Sequence, residues 1–205
     1  MKKILCFGDS NTFGYVPHTG ERYDKDIRWT GLLAKKLAGD YSIIEAGCNN
    51  RNGFIDSQDG ELFTGYKVLP RYLINPPKIV VLWIGANDIQ KFYHPEPDIL
   101  ESGLDKMVKS IIISGAEVIL ISPPVLSKDV LKGKFSFQFD ETSVAKSKLL
   151  PEIYKRVALK NNCRYIDIND YVTPSPLDGL HYSKEAHFII SEIIYKSIQE
   201  LSFNV

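Results

Sequence analysis

Three side chains in this sequence have the chemistry of a nucleophile, its base and the acid that orients the base. Ser10 follows the apolar residues 4–7 and Gly8, whereas Asp178 and His181 stand three positions apart near the other end of the chain. A serine hydroxyl is a poor nucleophile at neutral pH and needs a base within hydrogen-bond reach. The imidazole of His181 titrates near neutrality and can be that base. The Asp178 carboxylate can then fix the imidazole tautomer and stabilise the imidazolium.

Amide groups that suit an oxyanion follow two apolar runs in the middle of the chain. Gly85 and Asn87 come after residues 79–84, and the turn Asn49-Asn50 comes after residues 41–46. Fixed donors of this kind stabilise the negative charge of a tetrahedral intermediate. Each of these residues also has an ordinary structural interpretation, such as a helix cap or an Asx turn. Their joint position on the fold therefore decides between the two interpretations.

The elements that must position these residues are predicted from five short apolar runs separated by longer segments with helical spacing. The predicted strands are residues 3–7, 41–46, 79–84, 118–122 and 164–168. The predicted helical segments are residues 29–37, 61–73, 99–114, 143–160 and 184–201. This alternation predicts an α/β fold with a parallel sheet. Because ligands bind at the carboxyl ends of parallel strands, we expect the polar residues to meet at that edge.

Composition limits the classes of protein and partner. The 205 residues carry 25 Lys and Arg against 25 Asp and Glu, and no proline- or glycine-rich linker divides them. We expect residues 1–205 to form a single domain, with neither nucleic acid nor a membrane as partner. The odd number of cysteines, Cys6, Cys48 and Cys163, indicates reduced thiols and a cytoplasmic protein. No residue spacing implies a metal, and we expect no cofactor.

Several blocks of the sequence resemble the GDSL/SGNH hydrolase superfamily over nearly the full length. Gly8-Asp9-Ser10-Asn11-Thr12 resembles the nucleophile block, with Asn11 in place of the usual Leu. Gly85-Ala86-Asn87-Asp88 resembles the block that supplies the oxyanion-hole Asn, and Leu177-Asp178-Gly179-Leu180-His181 matches the closing block. Residues 26–33 are similar to the bacterial arylesterase and acyltransferase branch, which includes carbohydrate acetylesterases.

The resemblance implies a three-layer α/β/α sandwich with a flavodoxin-like, five-stranded parallel sheet. It implies a serine esterase that works through an acyl-enzyme, also with acyltransferase activity, and assembly into a homo-oligomer. Ser10, Asp178 and His181 would be catalytic, and Ser10, Asn50 and Asn87 would form the oxyanion hole. Asn50 stands where the family commonly has a Gly. Asn tolerates a positive φ better than most residues, so the backbone donor can survive this change.

The expected substrate is a small ester with a short acyl group and an aryl or sugar alcohol. The candidate substrate contacts are Asp9, Asn11, Trp29, Phe54 and Phe92. For Asp9, a role in holding the loop through backbone N–H groups is the main interpretation. Bulky rings in the loops near Ser10 either pack only against the edge of the sheet or crowd the cleft and make the acyl pocket narrow. These rings are Phe13, Tyr15, Trp29, Phe54, Phe92 and Tyr93.

Two other functions stay open at this point. A flavodoxin-like module could use residues 10–14 as a phosphate loop, although neither a Walker pattern nor Gly-x-Gly-x-x-Gly follows any predicted strand. An aspartate-based phosphotransferase could use Asp9 in an Asp-x-Asp-like start, although Asn11 stands where the second acid should be. Neither alternative explains Asp178 and His181.

Overall fold

A five-stranded parallel sheet with the order β2-β1-β3-β4-β5 forms the centre of the computed structural model, which describes residues 1–93 and 95–202. The strands are β1 (Lys2–Gly8), β2 (Tyr41–Gly47), β3 (Ile79–Trp83), β4 (Glu117–Ile121) and β5 (Arg164–Ile166). The helices are α1 (Ser10–Phe13), α2 (Trp29–Lys36), α3 (Gly65–Leu73), α4 (Pro97–Ile113), α5 (Glu141–Ser147), α6 (Leu150–Lys160) and α7 (Lys184–Ser202). The predicted α/β class and the parallel sheet are confirmed.

Helices cover both faces of the sheet because successive side chains of a strand point to opposite sides. In β1, Leu5 and Phe7 belong to a core cluster that includes buried residues of α3, α4 and α6. Ile4 and Cys6 belong to the other cluster, which includes buried residues of α2 and α7. Both clusters are apolar, and this explains why the strands lack polar alternation. The result is the expected three-layer sandwich.

The segment over residues 143–160 that was predicted to be helical contains two helices, α5 and α6. An Asp140 carboxylate oxygen accepts the Ser143 N–H and caps the start of α5, which ends at Ser147. Pro151 lies in the first turn of α6, where its missing N–H costs nothing. The helical segment predicted near residues 61–73 consists of a 3₁₀ turn at Glu61–Phe63 followed by α3, which starts at Gly65.

The loops that follow the first three strands meet because those strands end in register. Gly8 pairs with Gly47 of β2 on one side and with Trp83 of β3 on the other. The chain passes so close to its neighbours at Gly8 that a Cβ there would overlap the Trp83 carbonyl oxygen and the Thr12 side chain. Glycine is therefore required at the point where β1 delivers the chain to Ser10.

Within the described ranges, no helix combines the length and the apolar character that crossing a membrane requires.

Candidate active site

A continuous chain of hydrogen bonds joins Ser10, His181 and Asp178. The Ser10 Oγ lies 2.8 Å from His181 Nε2, and His181 Nδ1 lies 2.8 Å from Asp178 Oδ2. The carboxylate accepts the Nδ1–H, so Nε2 is left to accept the serine proton. All three side chains are buried at the end of β1, with Ser10 6% exposed. The arrangement can move a proton from the serine hydroxyl to the imidazole.

Asp178 is fixed by the loop that it belongs to. Its Oδ1 accepts the backbone N–H groups of Leu180 at 3.0 Å and His181 at 2.9 Å, which leaves Oδ2 for the imidazole. The His181 carbonyl accepts the Ser175 N–H at 2.7 Å and closes the loop. The three-residue spacing therefore forms a turn in which one carboxylate orients both the backbone and the ring of His181.

Asp9, and not Ser10, caps the short helix α1. The Asp9 Oδ1 accepts the Asn11 N–H at 3.0 Å, and Gly14 ends the helix with a left-handed φ of 86°. The hydroxyl of Ser10 therefore stays available for His181. Burial, opposed by the Asn11 N–H, raises the pKa of Asp9 to about 7. Asp9 thus holds the loop that carries Ser10 through a backbone N–H, which is the main interpretation made from the sequence.

Burial has opposite consequences for the two ionisable members of the hydrogen-bonded chain. It lowers the pKa of His181 below 6.5, and the hydrogen bond and charge of Asp178 only partly oppose this. Burial alone would raise the pKa of Asp178, but the hydrogen bonds from His181 and its backbone outweigh burial and leave that pKa below its usual range. Near neutral pH the pair is therefore a carboxylate beside a neutral imidazole.

Asn50 and Asn87 are tied together beside Ser10's loop. The Gln90 side-chain amide donates to Asn87 Oδ1 and to Asn50 Oδ1, both at 2.9 Å. The Nδ2 of Asn87 donates one hydrogen to the Arg51 carbonyl at 3.0 Å, which leaves a second hydrogen on that nitrogen. Two amides from different strand ends are thus held in one fixed relation.

Asn50, which stands where the family commonly has a Gly, adopts a left-handed backbone conformation. Its φ is 58°, a region in which Asn costs less than most residues. The Asn50 carboxamide stabilises this turn, because Nδ2 donates to Asp59 and Oδ1 also accepts from Gln138 at 3.2 Å. Among the hydrogen bonds of the described residues, the Asn50 backbone N–H has no protein acceptor. This N–H is a donor that a substrate oxygen can use.

Asp88 organises the site in a way that the sequence reading missed. Its carboxylate accepts three consecutive backbone N–H groups, from Gly53 at 2.6 Å, Phe54 at 2.7 Å and Ile55 at 2.9 Å. Burial raises the pKa of Asp88 to about 6, although these donors oppose the change. The carboxylate thereby anchors the loop after β2 to the loop after β3. The only signal in the sequence was an acid directly after Asn87.

Arg51 lies buried beneath the same loops. Its Nη1 donates to the Gly8 carbonyl at 3.1 Å and to the Ala46 carbonyl at 2.6 Å, and its guanidinium lies 4.8 Å from the centre of the Phe7 ring. These contacts join the ends of β1 and β2 next to the loop that carries Ser10. Burial lowers the pKa of Arg51, and the charge of Asp9 opposes this change.

Two aromatic rings pack against the imidazole of His181. The ring of Tyr15 stacks on it with centres 4.0 Å apart and planes 25° apart, and the Phe135 ring lies 5.2 Å away. Tyr15 was among the rings expected near Ser10, whereas Phe135 lies in a segment without a recognisable motif. Together they restrict the orientation of the imidazole and shield it from water.

The five candidate substrate contacts fall in different places. Asn11 and Trp29 are fully buried and bind each other, since the Trp29 Nε1–H donates to the Asn11 carbonyl at 3.0 Å. Asp9 is equally buried as a helix cap. These three side chains support the loop and present no surface to a substrate here. Phe54 is half-buried beside α4, and Phe92 is 47% exposed, so these two rings stay accessible.

Comparisons with known proteins identify the family and the fold of the chain. The family model of the GDSL-like lipase/acylhydrolase family matches residues 6–188. An aryl esterase from M. smegmatis, solved with an inhibitor bound, is 27% identical with a TM-score of 0.91 over 98% of this chain and 100% of its own. A carbohydrate acetylesterase from Sinorhizobium meliloti is 27% identical with a TM-score of 0.88 over the same shares.

A more distant structure shares the fold alone. The lipase/acylhydrolase from Enterococcus faecalis is 23% identical, with a TM-score of 0.70 over 98% of this chain and 96% of its own. No curated protein matches the sequence. The chain belongs to the GDSL-like lipase/acylhydrolase family and is an ester hydrolase, so the resemblance stated from the sequence is confirmed.

The pH dependence of kcat/KM should follow the protonation of His181. The base must be neutral to accept the serine proton, so activity is lost as the pH falls through the pKa of His181. Because burial lowers that pKa, we expect kcat/KM for a neutral ester to rise with pH through a midpoint below 6.5. His18→Asn, at an exposed histidine with a positive φ, is the control and should keep the wild-type profile. A midpoint above that of a free histidine would contradict the assignment.

Asn87→Ala should lower kcat and leave KM nearly unchanged. Removal of one oxyanion donor typically costs about 3–4 kcal/mol, which corresponds to a loss of about 10²- to 10³-fold in kcat. Gln90→Met, which removes only the bridge to Asn50 and Asn87, should cost less. Steady-state kinetics with circular dichroism of the folded variants checks both values. A rise in KM at constant kcat would show instead that Asn87 binds substrate and transition state equally.

Proposed function

We propose that this protein hydrolyses small carboxylic esters through an acyl-enzyme intermediate on Ser10. The observation that carries the proposal is the hydrogen-bonded chain from Ser10 through His181 to Asp178, at the sheet edge where α/β folds bind ligands. The family match supports the same chemistry. The phosphotransferase and nucleotide-binding alternatives have no comparable support, because Asp9 is occupied as a helix cap and the Ser10 hydroxyl by His181.

In the first half of the proposed reaction, Ser10 Oγ attacks the ester carbonyl carbon and its proton passes to His181 Nε2. The carbonyl oxygen becomes an oxyanion that accepts hydrogen bonds from the backbone N–H groups of Ser10 and Asn50 and from Asn87 Nδ2. The imidazolium, stabilised by Asp178, then protonates the alcohol oxygen as the bond to the carbonyl carbon breaks. The alcohol leaves, and the acyl group stays on Ser10.

In the second half, a water molecule gives a proton to His181 and attacks the acyl carbon. Collapse of the second oxyanion returns the proton to Ser10 and releases the carboxylic acid. An alcohol can take the place of water in this step, which would give acyl transfer with the same residues. We propose hydrolysis as the main reaction and transfer as a side reaction of the same intermediate.

We propose a short acyl group and an aryl or sugar alcohol as the substrate. The aromatic rings of Tyr15 and Phe135 against His181 support a crowded cleft, and so does the similarity to an aryl esterase and a carbohydrate acetylesterase. A cavity of about 610 Å³ lies elsewhere, between α3 and α4, and its lining includes Phe54 and Met107 but no member of the hydrogen-bonded triad.

We further propose that residues 1–205 act as one domain in the cytoplasm. One sheet contains all five strands, which supports a single domain. The free thiols of Cys6, Cys48 and Cys163 support a reducing compartment. The balanced charge supports a small-molecule substrate in preference to nucleic acid or a membrane surface. Self-association, which the family resemblance implied, stays a prediction.

A serine-directed fluorophosphonate probe tests the nucleophile directly. We expect the probe to label Ser10 stoichiometrically, because His181 removes its proton, and Ser10→Ala to abolish both labelling and turnover beyond a small residual rate. Peptide mapping by mass spectrometry locates the adduct. Ser175→Ala, at a buried serine of the loop that carries His181, is the control and should still be labelled at Ser10. Labelling at another serine, or near wild-type turnover in Ser10→Ala, would overturn the proposal.

The length of the acyl chain tests the substrate proposal separately. We expect kcat/KM on p-nitrophenyl esters to fall steeply from acetate and butyrate toward octanoate. Each extra methylene contributes about 0.8 kcal/mol where it fits, but must displace packed rings where it does not. Light scattering ensures that the substrates are monomeric. A maximum at octanoate or longer would contradict the narrow pocket and leave the triad intact.

A further inference from the structure

Lys134 places a positive charge beside the aromatic rings that contact the catalytic imidazole. Its Nζ donates to the Tyr15 hydroxyl at 2.7 Å and lies 5.4 Å from the centre of the Tyr15 ring and 5.8 Å from that of Phe135. Those same rings lie 4.0 and 5.2 Å from the ring of His181. The lysine is exposed, so a ligand in solution can reach it.

The charge of Lys134 is not neutralised within the described part of the chain. Lys132, two residues earlier, pairs with Asp129 at 3.1 Å, whereas Lys134 forms no ion pair there. An ammonium group has three hydrogens, and the Tyr15 hydroxyl takes one of them. Two hydrogens and a full charge therefore remain for an acceptor. Because the whole chain has no net charge, the positive charge at Lys134 is a local feature of the site.

The position of Lys134 indicates which part of an ester it faces. His181 Nε2 must protonate the oxygen of the departing alcohol, so the alcohol lies against the imidazole during the reaction. Asn50 and Asn87 instead mark the side of the carbonyl oxygen. Lys134 is attached through Tyr15 to the imidazole side. On the oxyanion side, the exposed Asp59 carboxylate accepts from the Asn50 side chain, so a negative charge lies next to Asn50.

We propose that Lys134 is a specificity-determining residue that binds an anionic group on the alcohol portion of the ester. The substrate class is an acylated alcohol that carries a carboxylate, phosphate or sulfate, with the short acyl group on a different oxygen from the anion. The inference rests on the proposed esterase function and specifies its substrate. The Tyr15 hydroxyl fixes Lys134 over the rings, so less side-chain freedom is lost when the anion binds.

A matched pair of aryl acetates tests the inference. 4-Acetoxybenzoate and 4-acetoxybenzamide have the same acyl group and nearly the same shape, and differ in the charge of the leaving group. Each kcat/KM is divided by the rate of hydroxide-catalysed hydrolysis of the same ester, because the amide also makes the phenol a better leaving group. We expect wild-type kcat/KM to favour the benzoate about fivefold at low salt, as for an ion pair of about 1 kcal/mol. The assays are done at mildly alkaline pH, where His181 is neutral in every variant.

Four comparisons separate a contact with substrate from an indirect effect. Lys134→Met should abolish the preference, Lys134→Arg should retain it, and Lys132→Met, which removes the same charge two residues away, should leave it unchanged. The pair phenyl hydrogen succinate and phenyl methyl succinate, with the charge on the acyl side, should show no preference for the anion.

Equal kcat/KM of the wild type for both acetates would overturn the inference, as would a preference that survives in Lys134→Met or one confined to the succinate pair. An equal loss on both acetates in Lys134→Met would also overturn it, because Lys134 would then only position Tyr15 and His181. A wild-type protein that cleaves none of these esters would contradict the proposed function itself, and this inference with it.

Discussion

The hydrogen bond between Ser10 and His181 is the contact that the whole arrangement must provide. It joins residues 171 positions apart at 2.8 Å, so it exists only if the first strand and the loop before the last helix end at the same edge of the sheet. The parallel topology supplies that edge, because every strand points its carboxyl end the same way. Gly8 permits the tight passage out of β1, and Asp178 fixes the loop that brings His181. The fold thus pre-orients a pair that local sequence could not bring together.

Buried polar groups, which ordinarily destabilise a core, hold the loops of the site in place. The Asp88 carboxylate satisfies three N–H groups of the loop after β2, and Gln90 bridges Asn50 and Asn87. Such groups must keep their partners, since an unpaired one would cost about 1–3 kcal/mol. Each therefore restricts its loop to one arrangement. The proposed oxyanion hole depends on this rigidity, because its donors must be in place before charge develops.

The sequence predicted which residues follow the strands, but it did not predict the contacts that depend on the paths of the loops. Ser10 and His181 could be predicted because apolar runs and short polar blocks identify the edge of the sheet. Asp88 directly follows Asn87 in the sequence, but the residues whose N–H groups donate to it lie 33–35 positions earlier. No local sequence pattern indicates a contact between residues so far apart. Phe135 and Lys134 reach His181 and Tyr15 only through the path of an irregular segment. Trp29 was predicted to contact substrate because it was expected in a loop near Ser10, but its ring is buried in the core.

A double-mutant cycle of Ser10→Ala and His181→Ala, measured as kcat/KM on an aryl acetate, tests most directly whether the two residues act as one unit. Since neither residue can act without the other, either single change should lower kcat/KM by several orders of magnitude. The kcat/KM of the double variant should be about equal to that of the less active single variant. Circular dichroism and thermal unfolding establish that all variants fold. Losses that multiply in the double variant would contradict the account, because they would mean that Ser10 and His181 contribute independently.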